Sequence, residues 1–134
     1  MQAAEIFDFE LSIATPAGYE PSELFSQKYK KNINFFNNPM KACQDADVVV
    51  TDVWTSMGQE SEKKQRESSF KGFQVDQLMM NQAKADAVFM HCLPAYRGIE
   101  VSSEVIDGSQ SVVWSEAENR LHAQKSLLLY LIED

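Results

Sequence analysis

Short apolar runs alternate with amphipathic stretches along this chain, a pattern typical of βα units arranged around a parallel sheet. The apolar runs predict five strands, and the stretches between them predict helices. The predicted strands cover residues 9–14, 33–36, 47–51, 87–90 and 111–114. The predicted helices cover residues 21–29, 39–43, 59–69, 75–83 and 116–132, with a brief helical turn ending at residue 106. We therefore expect one α/β domain.

Three local signals are the clearest. The valines at 48–50 do not alternate with polar residues, which is expected of a parallel strand covered on both faces. Asn38 followed by Pro39 predicts a helix N-cap with proline at the first helical position. Glu62 and Arg66 stand one turn apart in the predicted helix that follows, where opposite charges attract.

Composition and charge narrow the function classes. The 134 residues carry 12 Lys and Arg against 20 Asp and Glu, a formal charge of −8. A protein that binds nucleic acid needs positive charge over a broad face, so no nucleic-acid partner is expected. No apolar run approaches the roughly 18 residues of a membrane span. The first residues lack the regions of a signal peptide, so we expect a cytoplasmic protein without a membrane partner.

Cysteine and histidine are too sparse for a disulfide framework or a structural metal site. The two cysteines, Cys43 and Cys92, lie far apart, and the chain has only two histidines. Neither spacing matches the ligand patterns of zinc sites. We therefore expect no metal site.

Polar residues follow three of the predicted strands, at residues 52–58, 91–94 and 116–120. In open parallel sheets, ligands bind beyond the carboxyl ends of the strands. Because these ends lie at one edge of a sheet, we expect the three clusters to face a single crevice.

Each candidate residue also has an ordinary structural explanation. Asp52 is explained as a turn cap, Cys92 as a small buried apolar residue, and His91 as the partner of a backbone carbonyl. Arg120 is explained as the i,i+4 partner of Glu116. Taken singly, these explanations are the better ones. Taken together at one edge, the residues favour a small-molecule site for an amine and an anion.

The residue types indicate a role for each group. Asp52 suits a ligand ammonium group through a charge-assisted hydrogen bond. The segment 56–58 combines a hydroxyl, a flexible thioether and a glycine, which suits a loop that closes over a small ligand. Cys92 forms a thiolate if His91, an arginine or another nearby cation lowers its pKa. The planar guanidinium of Arg120 suits phosphate or a carbonyl oxygen.

Four segments closely resemble the C-terminal, ornithine-binding domain of ornithine carbamoyltransferases: residues 13–21, 51–58, 91–98 and 116–125. The specific part is the pair Asp-x-Trp-x-Ser-Met-Gly and His-Cys-Leu-Pro. Relatives that use aspartate lack the Ser-Met-Gly loop, and relatives that use putrescine carry a different loop there. The resemblance implies a three-layer Rossmann-like α/β domain with a parallel sheet, spanning residues 1–134.

The resemblance also implies a reaction and its residues. Carbamoyl phosphate would donate its carbamoyl group to the δ-amine of L-ornithine, giving citrulline and phosphate. Asp52, Ser56 and Met57 would bind ornithine, and Cys92 would be the catalytic residue beside the reacting amine. A thiolate suits that place because an amine with a pKa near 10 must lose a proton before it attacks.

The resemblance assigns the carbamoyl phosphate contacts to Cys92, Leu93 and Arg120, with His91 in a possible supporting role. No cofactor is implied, and a homo-oligomer is expected.

The resemblance begins inside a helix, at residues 1–7. The carbamoyl-phosphate domain, with its Ser-x-Arg-Thr loop, and the first strand of the ornithine-binding domain are not represented. That strand lies in the middle of the family's sheet, so we expect a gap there, two unpaired strand edges, and a chain inactive alone. Three alternatives remain: half of an enzyme completed by a second polypeptide, a non-catalytic oligomerising or ligand-binding module, and a carbamoyltransferase for another amine such as putrescine.

Overall fold

The computed structural model describes residues 1–55, 58 and 60–133. Short strands alternate with helices, as the apolar pattern predicts. The elements in chain order are α1 (Gln2–Phe7), β1 (Leu11–Ala14), α2 (Glu23–Lys28), β2 (Ile33–Phe36), α3 (Pro39–Ala42), β3 (Val48–Thr51), a 3-10 turn (Glu60–Glu62), α4 (Lys63–Ser69), α5 (Gln77–Met80), β4 (Val88–His91), α6 (Ser103–Ile106) and α7 (Val113–Ile132).

The described strands form two separate parallel pairs. β1 pairs with β2, with Leu11 opposite Ile33, and β3 pairs with β4, with Val48 opposite Val88. No described strand joins the two pairs, and a cleft of about 350 Å³ is lined by residues of both β1 and β3. The predicted α/β class with a parallel sheet is confirmed, and the gap expected in the middle of that sheet is present among the described strands.

The hydrophobic core surrounds the β3–β4 pair. Val49 and Phe89 stand opposite each other in the register, and both are buried. Short helices close this core with further buried side chains, among them Met79, Met80, Val105 and Ile106. The core therefore lies directly beneath the strands whose carboxyl ends carry the candidate site.

Local capping explains where two of the short helices begin. The Asn38 side chain accepts a hydrogen bond from the Met40 backbone at 2.9 Å, which confirms the predicted cap of α3. Asp76 caps α5 in the same way, accepting from Met79 at 3.0 Å. Each cap satisfies a backbone N–H that the first helical turn leaves unpaired.

The predicted ion pair of α4 is also present. Glu62 and Arg66 approach to 2.9 Å across one helical turn. This contact ties the 3-10 turn to the helix that follows it.

Two sequence predictions are wrong. Residues 111–114 do not form a strand: Ser111 makes a single bridge to Phe89, and Val113 already begins α7. The pattern predicts a strand because valine favours strands and Val113 is buried. Here that burial packs the first turn of α7 against the core. The valine strand is not covered on both faces either, because Val48 and Val50 are 45% and 64% exposed along the cleft.

Helix α7 is long and mostly exposed. Of its 20 described residues, only Val113 is buried. Apolar side chains near its end, including Leu127, Leu128 and Leu129, are about half exposed. None of the described helices combines the length and apolar character needed to cross a bilayer.

We predict that Phe89→Ala destabilises the chain by about 3–5 kcal/mol, because it leaves a cavity in the core around β3 and β4. The matched control is Phe35→Ala, the same truncation at a ring that is 46% exposed. Urea unfolding followed by far-ultraviolet circular dichroism measures both. Equal losses in the two variants would contradict this assignment of the core.

Candidate functional site

The register of β3 and β4 brings the first two polar clusters together. Thr51 stands opposite His91, so the residues that follow them leave the sheet side by side. The Cys92 thiol donates a hydrogen bond to Asp52 Oδ1, with a sulfur–oxygen distance of 3.1 Å. The same oxygen accepts the backbone N–H of Val53 at 2.7 Å. Asp52 is therefore both a turn cap and the partner of the thiol.

The surroundings of Cys92 are acidic. The hydrogen bond to Asp52, followed by partial burial and the charge of that carboxylate, raises the pKa of the Cys92 thiol above its ordinary value of 9.0. The charge of Glu116 acts in the same direction. These carboxylates therefore favour the protonated thiol, and no described cation lowers the pKa of Cys92.

His91 holds the turn that carries Cys92. Its side chain is buried, and Nδ1 accepts the Leu93 backbone N–H at 2.9 Å. Because Nδ1 accepts, the proton of the neutral ring lies on Nε2, which is 3.3 Å from Glu100 Oε1. Leu93 has a φ of 54°, a left-handed conformation uncommon for leucine. The bond from its N–H to the imidazole stabilises that conformation.

Two glutamates support this turn, and neither was among the site residues predicted from the sequence. Glu100 is fully buried, and its Oε1 accepts the Tyr96 backbone N–H at 2.5 Å. Glu116, in the first turn of α7, accepts the His91 backbone N–H at 2.9 Å. Glu116 lies in the third polar cluster, but the i,i+4 pattern favoured Arg120 as its partner. Glu100 carries no local sequence signal.

Two further predicted site residues lie within the described part of the chain, Arg120 and Leu93. Arg120 is exposed on α7 and makes no hydrogen bond or ion pair with the described residues. The half-buried Leu93 side chain packs against the hydrophobic core. Ser56 and Met57 lie outside the described residues. The third cluster therefore contributes the carboxylate of Glu116 to this turn.

Three potential metal ligands meet here, although their spacing in the sequence gives no sign of it. Side-chain donor atoms of Asp52, His91 and Cys92 all lie within 4.8 Å of one another. Nδ1 of His91 accepts the Leu93 amide, whereas Nε2 lies 3.3 Å from Glu100 Oε1 without a hydrogen bond among the described residues. The bond from Leu93 favours a structural role for the imidazole.

An aromatic cluster holds the segment that follows Asp52. The ring centroids of Trp54 and Phe70 are 5.6 Å apart, and Phe70 also packs edge-on against Tyr19 at 4.9 Å. The Arg66 guanidinium lies 5.5 Å from the centre of the Tyr19 ring and donates to the Trp54 carbonyl at 3.4 Å. Asp52, Trp54 and Arg66 line the upper part of the cleft between β1 and β3.

Comparison with known proteins gives consistent matches. A family model described as aspartate/ornithine carbamoyltransferase, Asp/Orn binding domain, matches residues 1–131. The ornithine carbamoyltransferase of Ruthia magnifica subsp. Calyptogena magnifica is 61% identical over 132 residues, which is 98% of this chain and 44% of that relative. The chain therefore spans less than half the length of this relative.

Solved structures match as well. The ornithine carbamoyltransferase of Burkholderia thailandensis superposes with a TM-score of 0.84 at 46% identity, covering 98% of this chain and 41% of that one. The anabolic ornithine carbamoyltransferase of Campylobacter jejuni gives a TM-score of 0.87 at 40% identity. The match covers 96% of this chain and 45% of that one.

We predict that Cys92 is alkylated by iodoacetamide with a midpoint above pH 9, since Asp52 stabilises the protonated thiol. Asp52→Asn removes the negative charge and should lower that midpoint. The matched control is Asp47→Asn, the same substitution at an exposed aspartate that precedes β3. Mass spectrometry of the peptides separates Cys92 from the buried Cys43. A wild-type midpoint below 9 would refute the electrostatic assignment.

Proposed function

The chain belongs to the aspartate/ornithine carbamoyltransferase family, and from this premise we propose that residues 1–134 form the ornithine-binding domain of an ornithine carbamoyltransferase. The proposed reaction transfers the carbamoyl group of carbamoyl phosphate to L-ornithine. The observation that carries the proposal is the contact between Cys92 and Asp52, 3.1 Å apart at the ends of neighbouring strands.

Asp52 is proposed to hold the α-ammonium group of ornithine. Its Oδ1 is occupied by Val53 and Cys92, and no described group bonds to Oδ2. A carboxylate with one open oxygen beside a cleft suits an ammonium ion, because charge-assisted hydrogen bonds are stronger than neutral ones. Fixing one amine in this way orients the other toward its reaction partner. Ser56 and Met57 are proposed to complete the ornithine contacts.

Cys92 is proposed to act beside the δ-amine. In the reaction, the amine nitrogen bonds to the carbamoyl carbon, and the bond from that carbon to the phosphate oxygen breaks. The bonding electron pair leaves with phosphate, and the nitrogen gives up a proton. The acidic surroundings keep Cys92 protonated until a cation arrives. The ammonium groups of ornithine supply that cation and lower the pKa of the thiol, which then releases its proton to solvent. The resulting thiolate accepts the proton that the amine nitrogen gives up.

Carbamoyl phosphate is proposed to meet this chain at Cys92, Leu93 and Arg120, with His91 in support. Arg120 stands free on α7, so its guanidinium is available to an anion. These three residues do not surround a phosphate group. We therefore propose that further phosphate contacts come from outside residues 1–134, and that this chain alone turns over little or no substrate.

We predict that Asp52→Ala weakens L-ornithine binding by about ten- to a hundredfold, the usual range for a lost charge-assisted hydrogen bond. Isothermal titration of the chain with L-ornithine measures this, and putrescine, titrated in parallel, should bind more weakly. Asp47→Ala, an exposed aspartate outside the site, should leave the affinity unchanged. Absence of heat at millimolar ornithine, or preference for putrescine, would refute the assigned substrate.

We predict that Cys92→Ser lowers citrulline formation by about a hundredfold, the lower range for general acid–base catalysis. The assay mixes this chain with the separately expressed N-terminal part of a curated relative. Serine retains the hydrogen bond to Asp52 but is not converted to an anion near neutral pH, so the loss reports on proton transfer. An undiminished rate in the variant would rule out this role, and full turnover by the chain alone would rule out the division of the site.

A further inference from the structure

Asp107 is followed directly by Gly108, and no other aspartate or asparagine of the sequence stands before a glycine. In such a pair the glycine nitrogen attacks the side-chain carboxyl of the aspartate, because glycine has no side chain to obstruct the approach. The new carbon–nitrogen bond closes a succinimide ring, and one carboxyl oxygen leaves as water together with the amide hydrogen. Water then opens the ring at either carbonyl and gives aspartate or isoaspartate.

The backbone requires glycine at position 108. Asp107 is the C-terminal cap of α6, and its N–H donates to the Ser103 carbonyl at 3.0 Å. A Cβ atom at position 108 would collide with the backbone carbonyl of Glu104. Any other residue would therefore shift the end of α6, so the fold itself retains the reactive pair.

Arg97 binds the carboxylate of Asp107 with two hydrogen bonds. Its Nε donates to Oδ2 at 2.9 Å and its Nη2 donates to Oδ1 at 2.6 Å, so one planar group holds both oxygens. The hydrogen bond to Arg97 lowers the pKa of Asp107 below its ordinary value. Because ring closure expels water from the protonated carboxyl, this contact disfavours the reactive form. The Gly98 N–H donates to the carbonyl of the buried Val101 at 2.8 Å, which fixes the turn that carries Arg97.

The attacking nitrogen is also held away from the carboxyl. The Gly108 N–H donates to the Val105 carbonyl at 3.2 Å, and the ψ angle of Asp107 is 0°. Ring closure brings the nitrogen to the side of the Cα–C bond that carries Cβ, which requires a large rotation of ψ from this value. The end of α6 must therefore open, and the carboxylate must leave Arg97, before the ring forms.

We propose that Asp107–Gly108 is the site at which this chain undergoes spontaneous backbone isomerisation, and that the contact with Arg97 restrains the reaction in the folded state. Isoaspartate places an additional methylene group in the backbone directly after the buried Ile106. Its formation therefore disturbs the end of α6 beside the hydrophobic core.

The test incubates the whole chain at neutral pH in water labelled with heavy oxygen. Each passage through the succinimide adds one solvent oxygen to Asp107, which mass spectrometry of the peptides detects, and chromatography separates isoaspartate from aspartate. Arg97→Ala should raise the rate of both changes about fivefold, the upper range for an exposed ion pair. Lys84→Ala, which removes the exposed pair with Asp47, should leave the rate at Asp107 unchanged. Circular dichroism checks that each variant is folded.

Further measurements separate the site from its restraint. Asp107→Glu would have to close a larger ring, so the label at this position should disappear. In guanidinium chloride, the wild type and Arg97→Ala should isomerise at the same rate, faster than the folded wild type. Arg97→Lys, which offers an ammonium group in place of the planar guanidinium, should give an intermediate rate in the folded chain even if Arg97→Ala does not fold. Isoaspartate formed mainly at another residue would overturn the site, and folded variants no faster than the wild type would overturn the restraint.

Discussion

The parallel pairing of β3 with β4 is the constraint on which the candidate site depends. It places Thr51 opposite His91, so both strands end at the same edge of the sheet. Asp52 and Cys92 meet because each is the next residue along its strand. A slip of one strand by one residue would separate them and would also turn Val49 or Phe89, whichever lies on that strand, out of the core. The packing that stabilises the domain and the contact that defines the site are therefore specified by one register.

A reactive cysteine usually has a cation nearby that lowers the pKa of its thiol, and the surroundings of Cys92 have the opposite charge. Carboxylates, not cations, surround Cys92, and the nearest imidazole is committed to the backbone of its own turn. Negative charge without a partner is unfavourable in a half-enclosed site. A nearby cation would relieve it, so the carboxylates that raise the pKa of the Cys92 thiol also favour a positive group at this place.

The parts of this structure that depend on local chemistry could be predicted from the sequence. The Asn38 cap, the ion pair of Glu62 with Arg66, and the meeting of Asp52 with Cys92 all follow from short spacings or from the strand-end rule. Contacts that depend on tertiary packing could not. Glu116 bonds to a residue 25 positions away, and nothing near Glu100 indicates that its carboxylate is buried. The strand prediction at 111–114 was wrong because a buried valine has the same sequence pattern in the first turn of a helix as in a strand.

Helix α7 has a consequence for how the chain unfolds. About 30 Å long, it is tied to the rest of the domain in its first turn, by the buried Val113 and by the bond from the His91 backbone to Glu116. Beyond that turn the helix is mostly exposed and is held mainly by its own backbone bonds. We therefore expect its distal turns to open locally before the strand core unfolds.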